Sequence, residues 1–499
     1  MNPSADIAVN KPPASRSARG LSLILVGNLL QSVLRLALAA VTARFVAPAE
    51  TGIFQLAFSV VMLGMALADP GLSEAMVRLR RQSRAGAATF FWVNAGLGAL
   101  LGAALLAIAG PVATRFGQPE SQALIVALAS LPLLSALAMA PFVELRRQLR
   151  FAEISLIETG ACIVGCIACV VGAAMGAGAW SLAFFQFAWY AVRALAGFVL
   201  APTFPRLAFR MRALRRVGWF CANVWAAHLA AALATQLDKI IIGAMLGAAA
   251  LGHYSRGALF MSVPIQMITA ATVTALVPAF ARLRGQREAL ASEFIHTSQV
   301  ISLLTFPAFV GAAVLADPVT AVVLGRGPSW DWTPVAALLS ILAVGGVVES
   351  LLRPQRALML AQGRAGTALA LTFGSACTLL AGVAIGSALG GLKGAALGSA
   401  GSSLLMLAPA TALAARQAGT PLRAYVAALW PPLGAALAMG GVVIAARLYL
   451  AGQGVSPIAQ LAILIPLGGV AYVACLGKSG LRLITDMFKV KLGAKPTPA

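Results

Sequence analysis

The chain has 499 residues, of which 60% are hydrophobic and only 10% are charged, with a formal net charge of +22. A soluble domain is nearer half apolar and about a quarter charged, so this composition excludes an ordinary soluble fold. The excess of Lys and Arg is better explained by loops that face anionic lipid headgroups than by nucleic acid, and no nucleic-acid partner is expected.

Apolar runs recur along the whole chain and predict an all-α polytopic membrane protein with about 14 transmembrane helices. Each crossing needs roughly 20 apolar residues. The connections between the runs are too short to fold as separate domains. The predicted spans are 19–43, 51–76, 87–110, 121–141, 153–175, 178–200, 217–237, 250–280, 294–315, 333–352, 366–387, 392–414, 424–446 and 457–476.

The basic residues are sorted between alternate loops. About three-quarters of the 37 Lys and Arg lie in the termini and in every second loop, with clusters at 78–84, 146–150 and 206–216. Cytoplasmic loops retain Lys and Arg, so both termini are predicted to be cytoplasmic, in a bacterial inner membrane. The six cysteines lie in apolar runs and are interpreted as small packing residues, with no metal site and no cofactor expected.

Two short stretches resemble each other and indicate an internal repeat. Residues 49–54 and 249–254 each enter a long helix that ends in a basic turn, at 78–82 and 282–286. Six predicted spans separate the copies, so both halves share one orientation. This is the parallel-repeat arrangement of many transporters, in which the substrate binds at the interface near the bilayer midplane.

Several motifs, in order, resemble one family of membrane proteins. They lie at 68–75, 146–151, 178–180, 238–243, 246–256 and 277–280, with Pro264 between the last two. From about Gly20 to the last span, the chain resembles the polysaccharide transport family of the multidrug/oligosaccharidyl-lipid/polysaccharide exporter superfamily.

The resemblance implies a flippase or exporter of lipid-linked oligosaccharide on an undecaprenyl diphosphate carrier, for cell-surface polysaccharide or lipopolysaccharide synthesis. It implies two six-helix bundles around a central cavity, followed by two additional helices. The corresponding divisions are a disordered tail (1–18), the first bundle (19–200), a basic linker (201–216), the second bundle (217–414), two further helices (415–476) and a cytoplasmic tail (477–499).

Cations and polar groups at membrane depth are the candidate substrate ligands, because phosphate charges need compensation in a low-dielectric slab. Arg35 shares helical spacing with Asn28 and Gln31, which predicts a polar stripe facing the cavity or a neighbouring helix. Other candidates lie in the middle or near the end of a span: Arg193, Arg256, Trp189 and Tyr190. The aromatic rings could stack on sugars or simply pack.

Carboxylates at membrane depth are the candidate coupling or gating groups for H⁺ or Na⁺. Asp69 precedes Pro70 and Gly71, where a helix kink is predicted. Glu158 could pair with Arg193, and Asp238 could pair with Arg256. Glu349 is expected to pair with Arg353 at i,i+4 spacing.

Two other functions remain open from the residues alone. A cation-coupled drug antiporter of the same superfamily would need net acidic cavity groups, whereas three arginines lie at depth here. A glycan polymerase or ligase is expected to carry a sizeable outer loop. The expected partners are lipid-linked oligosaccharide, membrane lipids and polysaccharide polymerase machinery, and transport rather than enzymatic catalysis is expected.

The charge asymmetry predicts that Ala213 faces the cytoplasm. In a cysteine-free background, Ala213→Cys should resist a membrane-impermeant maleimide added to intact cells and react after permeabilisation. Gln453→Cys, in a predicted outer loop, is the matched control and should react from outside. Labelling of position 213 from outside would overturn the topology.

Overall fold

The computed structural model describes residues 14–68, 70–78, 84–202, 208–325 and 330–491, and these ranges contain helices but no β-strand. A helix satisfies every backbone hydrogen bond internally, as a lipid environment requires. The helices are α1 (Ala14–Thr42), α2 (Pro48–Ala68), α3 (Leu72–Arg78), α4 (Arg84–Arg115), α5 (Pro119–Leu128), α6 (Leu131–Arg147), α7 (Phe151–Ala174), α8 (Ala179–Leu200), α9 (Met211–Arg282), α10 (Arg287–Val314), α11 (Ala316–Val323), α12 (Pro334–Ala361), α13 (Ala365–Ala418), α14 (Leu422–Gly452) and α15 (Pro457–Lys491).

Eleven helical stretches in the described ranges are long and apolar enough to cross a membrane. Two of them, Leu214–Gln266 and Gly366–Ala418, are 53 residues long, well over twice the roughly 20 residues that one crossing needs. Gly247 interrupts α9 with a φ of 82°, and Gly390 and Gly391 interrupt α13. These breaks fall where the sequence predicts connections. The polytopic all-α fold is confirmed, and the number of crossings stays a prediction.

The kink predicted at Pro70 and Gly71, within the second apolar run, is confirmed. α2 ends at Ala68 and α3 begins at Leu72, because Pro70 cannot donate a helical hydrogen bond and Gly71 adopts a φ of 70°. Asp69 lies outside the described residues. At the chain ends, α1 begins at Ala14, inside the predicted tail at 1–18, and α15 continues to Lys491, inside the predicted tail at 477–499.

The chain divides into two compact units, Met1–Gly252 and His253–Ala499. In the first unit, α1 packs on α7, α7 on α8, and both α4 and α8 on α6. In the second unit, α10 packs on α12 and α14, and α14 packs on α15. The Tyr472 hydroxyl donates to the Leu303 carbonyl at 2.9 Å, which anchors α15 to α10. The predicted linker at 201–216 lies inside the first unit, and the grouping into six-helix bundles stays a prediction.

Small residues allow the helices to approach closely, as is common where lipid replaces water around a bundle. Cys162 and Cys169 on α7 are fully buried and pack with Phe185 of α8. A Cβ added at Gly165 would lie 2.9 Å from the Phe185 ring. The interpretation of these two cysteines as packing residues is confirmed, whereas Cys377 and Cys475 are exposed on their helices.

The two segments of α13 meet at glycines, which generates a stability prediction. A Cβ at Gly394 would lie 2.0 Å from the Gly386 carbonyl oxygen. Gly394→Val should therefore force the segments apart and destabilise the protein by about 1–3 kcal/mol or more, measured as a lowered melting temperature in detergent.

Gly401→Val is the matched control on the same helix, since nothing lies within 4 Å of a Cβ at Gly401. Gly401→Val introduces the same β-branched side chain, with the same restriction of its rotamers in a helix, but without the clash. Equal melting temperatures for the two variants would contradict the close glycine contact.

Candidate functional site

Four helices of the first unit bring charged and aromatic side chains together. α1 contributes Arg35, α6 contributes Phe142, α7 contributes Glu158, and α8 contributes Trp189 and Arg193. Trp189 and Arg193 are four residues apart and therefore lie on one face of α8. We refer to these five residues as the arginine–tryptophan cluster.

Arg193 is the centre of this cluster. Its Nε lies 3.0 Å from Glu158 Oε1, and both side chains are about one-fifth exposed. Its guanidinium carbon lies 4.9 Å from the centre of the Phe142 ring and 5.1 Å from that of Trp189. The predicted Arg193–Glu158 ion pair is thus present. The aromatic rings add cation–π attraction, which grows as the site is desolvated.

The Arg193–Glu158 contact is an ion pair without hydrogen-bond geometry. Arg193 Nε lies at ion-pairing distance from the carboxylate, yet it donates no hydrogen bond to any described residue. The N–H is therefore not aimed at the carboxylate oxygen. Coulomb attraction holds the two groups together, and part of the donor capacity of Arg193 is left for another acceptor.

Arg35 has a different environment from Arg193. Its guanidinium carbon lies 5.3 Å from the centre of the Trp189 ring, and it is close enough to the Cys162 thiol to interact with it. Within the described ranges, no carboxylate lies within ion-pairing distance of Arg35. Two guanidinium groups therefore share one indole ring, and the cluster carries one uncompensated positive charge.

The two other residues of the predicted polar stripe on α1 differ in their burial. Gln31 is buried, with 8% of its surface exposed, whereas Asn28 is exposed. The Asn28 backbone carbonyl accepts a hydrogen bond from Ser32 Oγ at 2.8 Å. Tyr190, next to Trp189, is buried, and its hydroxyl approaches Met65 Sδ at 3.8 Å.

A cavity of about 200 Å³ lies beside the cluster and shares Phe142 and Arg193 with it. Its lining follows one face of α6 from Pro132 to Arg146, a length of about 21 Å at the helical rise. We refer to it as the α6 cavity. Its polar lining consists of Ser73, Glu74, Asn94, Ser135, Arg146 and Arg193.

Asn94 is the polar group of the α6 cavity that sequence reasoning missed most clearly. Only 7% of its surface is exposed, and it lines the cavity. Its amide can therefore hydrogen-bond to a molecule in the cavity. A lone amide within the apolar α4 was the available signal. Arg146 and Glu74 were also missed, because Arg146 was interpreted as a loop charge and Glu74 only as part of the motif at 68–75.

The remaining predicted residues have other surroundings. Asp238 Oδ1 lies 3.7 Å from Lys239 Nζ in the first unit. Arg256 belongs to the second unit, where it is 6% exposed and lies 5.6 Å from the Trp332 ring centre. Their mutual pairing therefore stays a prediction.

The expected Glu349–Arg353 pair is present in α12 at 3.8 Å. Arg356 lies closer to the same Glu349 carboxylate, at 3.0 Å.

Comparison with known proteins identifies the family. Residues 41–337 match the family described as polysaccharide biosynthesis protein, which is more than half of the chain. The chain belongs to this family. It is 26% identical over 301 residues to the succinoglycan biosynthesis transport protein ExoT of Rhizobium meliloti (strain 1021), covering 60% of this chain and 61% of that protein.

A second relative in this family is the lipopolysaccharide biosynthesis protein WzxC of Escherichia coli (strain K12). It is 24% identical over 335 residues, with 65% of each chain covered. The aligned region thus spans less than two thirds of the length of either relative.

Solved structures of low identity share the fold of this family member. The lipid II flippase MurJ in its inward closed conformation aligns with a TM-score of 0.73 at 12% identity, covering 95% of this chain and 100% of that one. An inward-facing multidrug resistance MATE transporter aligns with a TM-score of 0.62 at 16% identity, covering 80% of this chain and 99% of that one. The polytopic transporter fold expected from the sequence is therefore confirmed.

The Arg193–Glu158 pair leads to a prediction about the stability of this protein. Glu158→Gln leaves Arg193 without its countercharge in a largely buried site, so it should lower the free energy of unfolding by about 1–3 kcal/mol. Thermal unfolding of the purified protein in detergent measures this.

The matched control is Glu153→Gln on the same helix, because Glu153 pairs with Arg150 at a more exposed position. Exposed pairs contribute about 0–1 kcal/mol. If the free energy of unfolding fell less for Glu158→Gln than for Glu153→Gln, the stability of the cluster would not depend on the Glu158 carboxylate.

Proposed function

We propose that the protein is a flippase that moves lipid-linked oligosaccharide across the cytoplasmic membrane for the synthesis of surface polysaccharide. Membership in the polysaccharide biosynthesis family supports this proposal. It is also supported by the relatives named as succinoglycan transport and lipopolysaccharide biosynthesis proteins. Transport across the bilayer requires no bond to be formed or broken, so the task is electrostatic.

The arginine–tryptophan cluster is the observation that carries the proposal. A diphosphate carries negative charge that a hydrocarbon slab disfavours by several kcal/mol. Arg35, which lacks a carboxylate partner among the described residues, can offer its N–H groups to phosphate oxygens in charge-assisted hydrogen bonds. Trp189 holds Arg35 in place and presents an aromatic surface for an adjoining sugar ring.

The α6 cavity offers a path by which the polar head can reach the cluster. Arg146 lies in the last turn of α6 at one end of the cavity, and Arg193, the centre of the cluster, also lines the cavity. Asn94 and the serines can hydrogen-bond to sugar hydroxyls. A head group could thus pass from one cation to the next without leaving its charge uncompensated.

The positive charge of the site favours the flippase function over that of a drug antiporter. The likeness to a MATE transporter concerns the fold alone. A site for cationic drugs needs a surplus of carboxylates, whereas the cluster contains two arginines and one glutamate. An anionic substrate therefore fits the cluster better.

Several finer points belong to the same proposal. We place the protein in the bacterial inner membrane with both termini in the cytoplasm, from the charge sorting. Contact with polysaccharide polymerase machinery follows from the proposed pathway. A phosphate that binds Arg193 would compete with Glu158, which could then accept a proton and couple transport to H⁺. Asp69 and Asp238 are the other candidates, for H⁺ or Na⁺.

Arg35 provides the test of the proposed function. Arg35→Ala removes the unpaired cation and should lower export of the polysaccharide repeat unit roughly 10- to 100-fold, the loss expected for a charged hydrogen bond of about 1.5–3 kcal/mol. Arg35→Lys should keep partial activity, since the charge survives without the bidentate geometry. Surface polysaccharide is measured in cells that carry each variant in place of the native gene.

Arg150→Ala is the control, because Arg150 pairs with Glu153 away from the cluster. Membrane abundance is measured for every variant. Export at the native level by a well-expressed Arg35→Ala protein would overturn the proposed role of the cluster.

A further inference from the structure

The start of α9 presents an exposed face that is both basic and aromatic. Its residues recur at intervals of three and four, so they lie on one side of the helix. They are Arg212, Arg215, Arg216 and Trp219, and all four are exposed. Within the described ranges, no carboxylate lies within ion-pairing distance of the three arginines. We refer to these four residues as the basic face of α9.

The opposite side of the same helical turns is packed against the first unit. Leu214, Val217 and Cys221 belong to one apolar cluster with Met76 of α3 and Phe90 of α4. These three residues also recur at intervals of three and four, so they share the other side of α9. Because that side is held in place by packing, the basic face is a fixed surface rather than part of a freely moving loop.

The linker is also anchored where it joins α9. The Arg210 backbone N–H donates to Thr89 Oγ1 of α4 at 2.9 Å, and Thr89 is fully buried. On either side of this anchored residue, Phe209 and Met211 have more than half of their surface exposed. Exposed apolar side chains therefore adjoin the basic face on its linker side.

This combination of rings and guanidinium groups matches the boundary between hydrocarbon and lipid headgroups. Trp219 is 83% exposed and lies about 5 Å further into the predicted span than Arg215 and Arg216, at the helical rise. Tryptophan favours this boundary because its ring is apolar and its N–H is polar. The guanidinium groups then lie at the depth of the lipid phosphates, which they can bind through two parallel hydrogen bonds.

The charge of the basic face selects an anionic lipid over a zwitterionic one. The choline group of phosphatidylcholine cancels its phosphate charge, whereas phosphatidylglycerol keeps a net negative charge. Each arginine near an anionic surface is expected to strengthen binding about fivefold. An acidic soluble protein could reach the arginines but not Trp219, which lies one helical turn inside the predicted span. A lipid meets both.

We infer that the basic face of α9 is a binding site for the headgroup of an anionic phospholipid, in the leaflet that the charge sorting predicts to be cytoplasmic. The arginines hold the headgroup phosphate, and Trp219 packs beside the upper part of the acyl chains. None of the four residues lines the α6 cavity, so this lipid is not the transported molecule. The inference requires only that the chain spans a membrane.

A bound lipid also supports the packing of the first unit. It holds the start of α9 from the outside, while Leu214 and Val217 contact the cluster that contains Met76 of α3. α3 carries Ser73 and Glu74, which line the α6 cavity. Because a ligand that binds only the folded state stabilises it, the lipid should raise the melting temperature of the protein.

Lipid binding to the purified protein provides the first test. Arg212→Gln, Arg215→Gln and Arg216→Gln are combined in one variant. Native mass spectrometry in detergent, with added phosphatidylglycerol, should show binding at least about tenfold weaker for this variant than for the native protein. The native protein should bind phosphatidylcholine at least about tenfold more weakly than phosphatidylglycerol.

The matched control removes the same number of exposed arginines from the second unit. Arg282→Gln, Arg287→Gln and Arg416→Gln are combined, and phosphatidylglycerol affinity should stay within about twofold of the native value, since this change is smaller than the effect of one arginine at the site. Replacing the three arginines of the basic face with lysine should keep most of the affinity, because the charge survives. Soluble glycerol 1-phosphate should not displace the lipid.

Each of the opposite results would overturn the inference. Native affinity in the glutamine variant would show that the basic face does not hold the lipid. An equal loss in the second-unit control would mean that the total charge attracts the lipid. Equal binding of the two lipids would leave an acidic protein as the better occupant. Displacement by glycerol 1-phosphate would indicate a site for free anions, and an equal loss in the lysine variant would exclude attraction by charge.

The second test leaves every arginine in place, so it does not depend on how the glutamine variant inserts or folds. Trp219→Ala should lose at least half of the rise in melting temperature that phosphatidylglycerol produces in the native protein. Trp430→Ala is the control, since Trp430 is an exposed tryptophan of α14 in the second unit, and it should keep the full rise. Equal rises in both variants would overturn the placement of the lipid beside Trp219.

Discussion

The compensation of arginine charge among apolar helices is the constraint on which the organisation of the first unit depends. A guanidinium cannot lie among hydrocarbon side chains without partners, because the cost of burying an isolated charge is several kcal/mol. Arg193 meets this requirement with one carboxylate and three aromatic rings, contributed by three different helices. The relative positions of α6, α7 and α8 are therefore coupled to the position of one charge.

Arg35 meets the same constraint incompletely. It has an aromatic neighbour but no carboxylate among the described residues, so the positive charge of the cluster exceeds the negative charge. A structural ion pair alone would not need this second cation. The imbalance is what makes the cluster suited to an anion that arrives and leaves, since a fully neutralised site would offer a phosphate little electrostatic gain.

Close packing between helix backbones is the second organising feature. At α7 and α8, and between the two segments of α13, small residues let helices touch where larger ones would clash. The same close packing brings Gly52 to the Ala248 carbonyl and Gly252 to the Pro48 carbonyl. Contacts of this kind depend on fit, so a side chain larger than hydrogen at the glycine position disrupts them.

The sequence by itself determined the features that depend on composition and local pattern. Long apolar runs predicted the helices, Pro70 and Gly71 predicted the kink after α2, and the basic loops predicted an orientation. The motif order predicted the family that residues 41–337 then showed. The ion pair between Glu158 and Arg193 was predicted from the sequence, because both residues lie at comparable depth in adjacent spans.

Only the tertiary structure decided which helix faces meet. Asn94 and Arg146 became cavity residues because α4 and α8 both pack on α6, and nothing in their local sequence distinguishes them from a packing amide and a loop charge. Likewise, the weak repeat at 49–54 and 249–254 could be predicted from the sequence, but the close contacts of Gly52 with Ala248 and of Gly252 with Pro48 could not. Periodicity fixes which side chains share a helix face, whereas the neighbour of that face is set by packing between residues far apart in the chain.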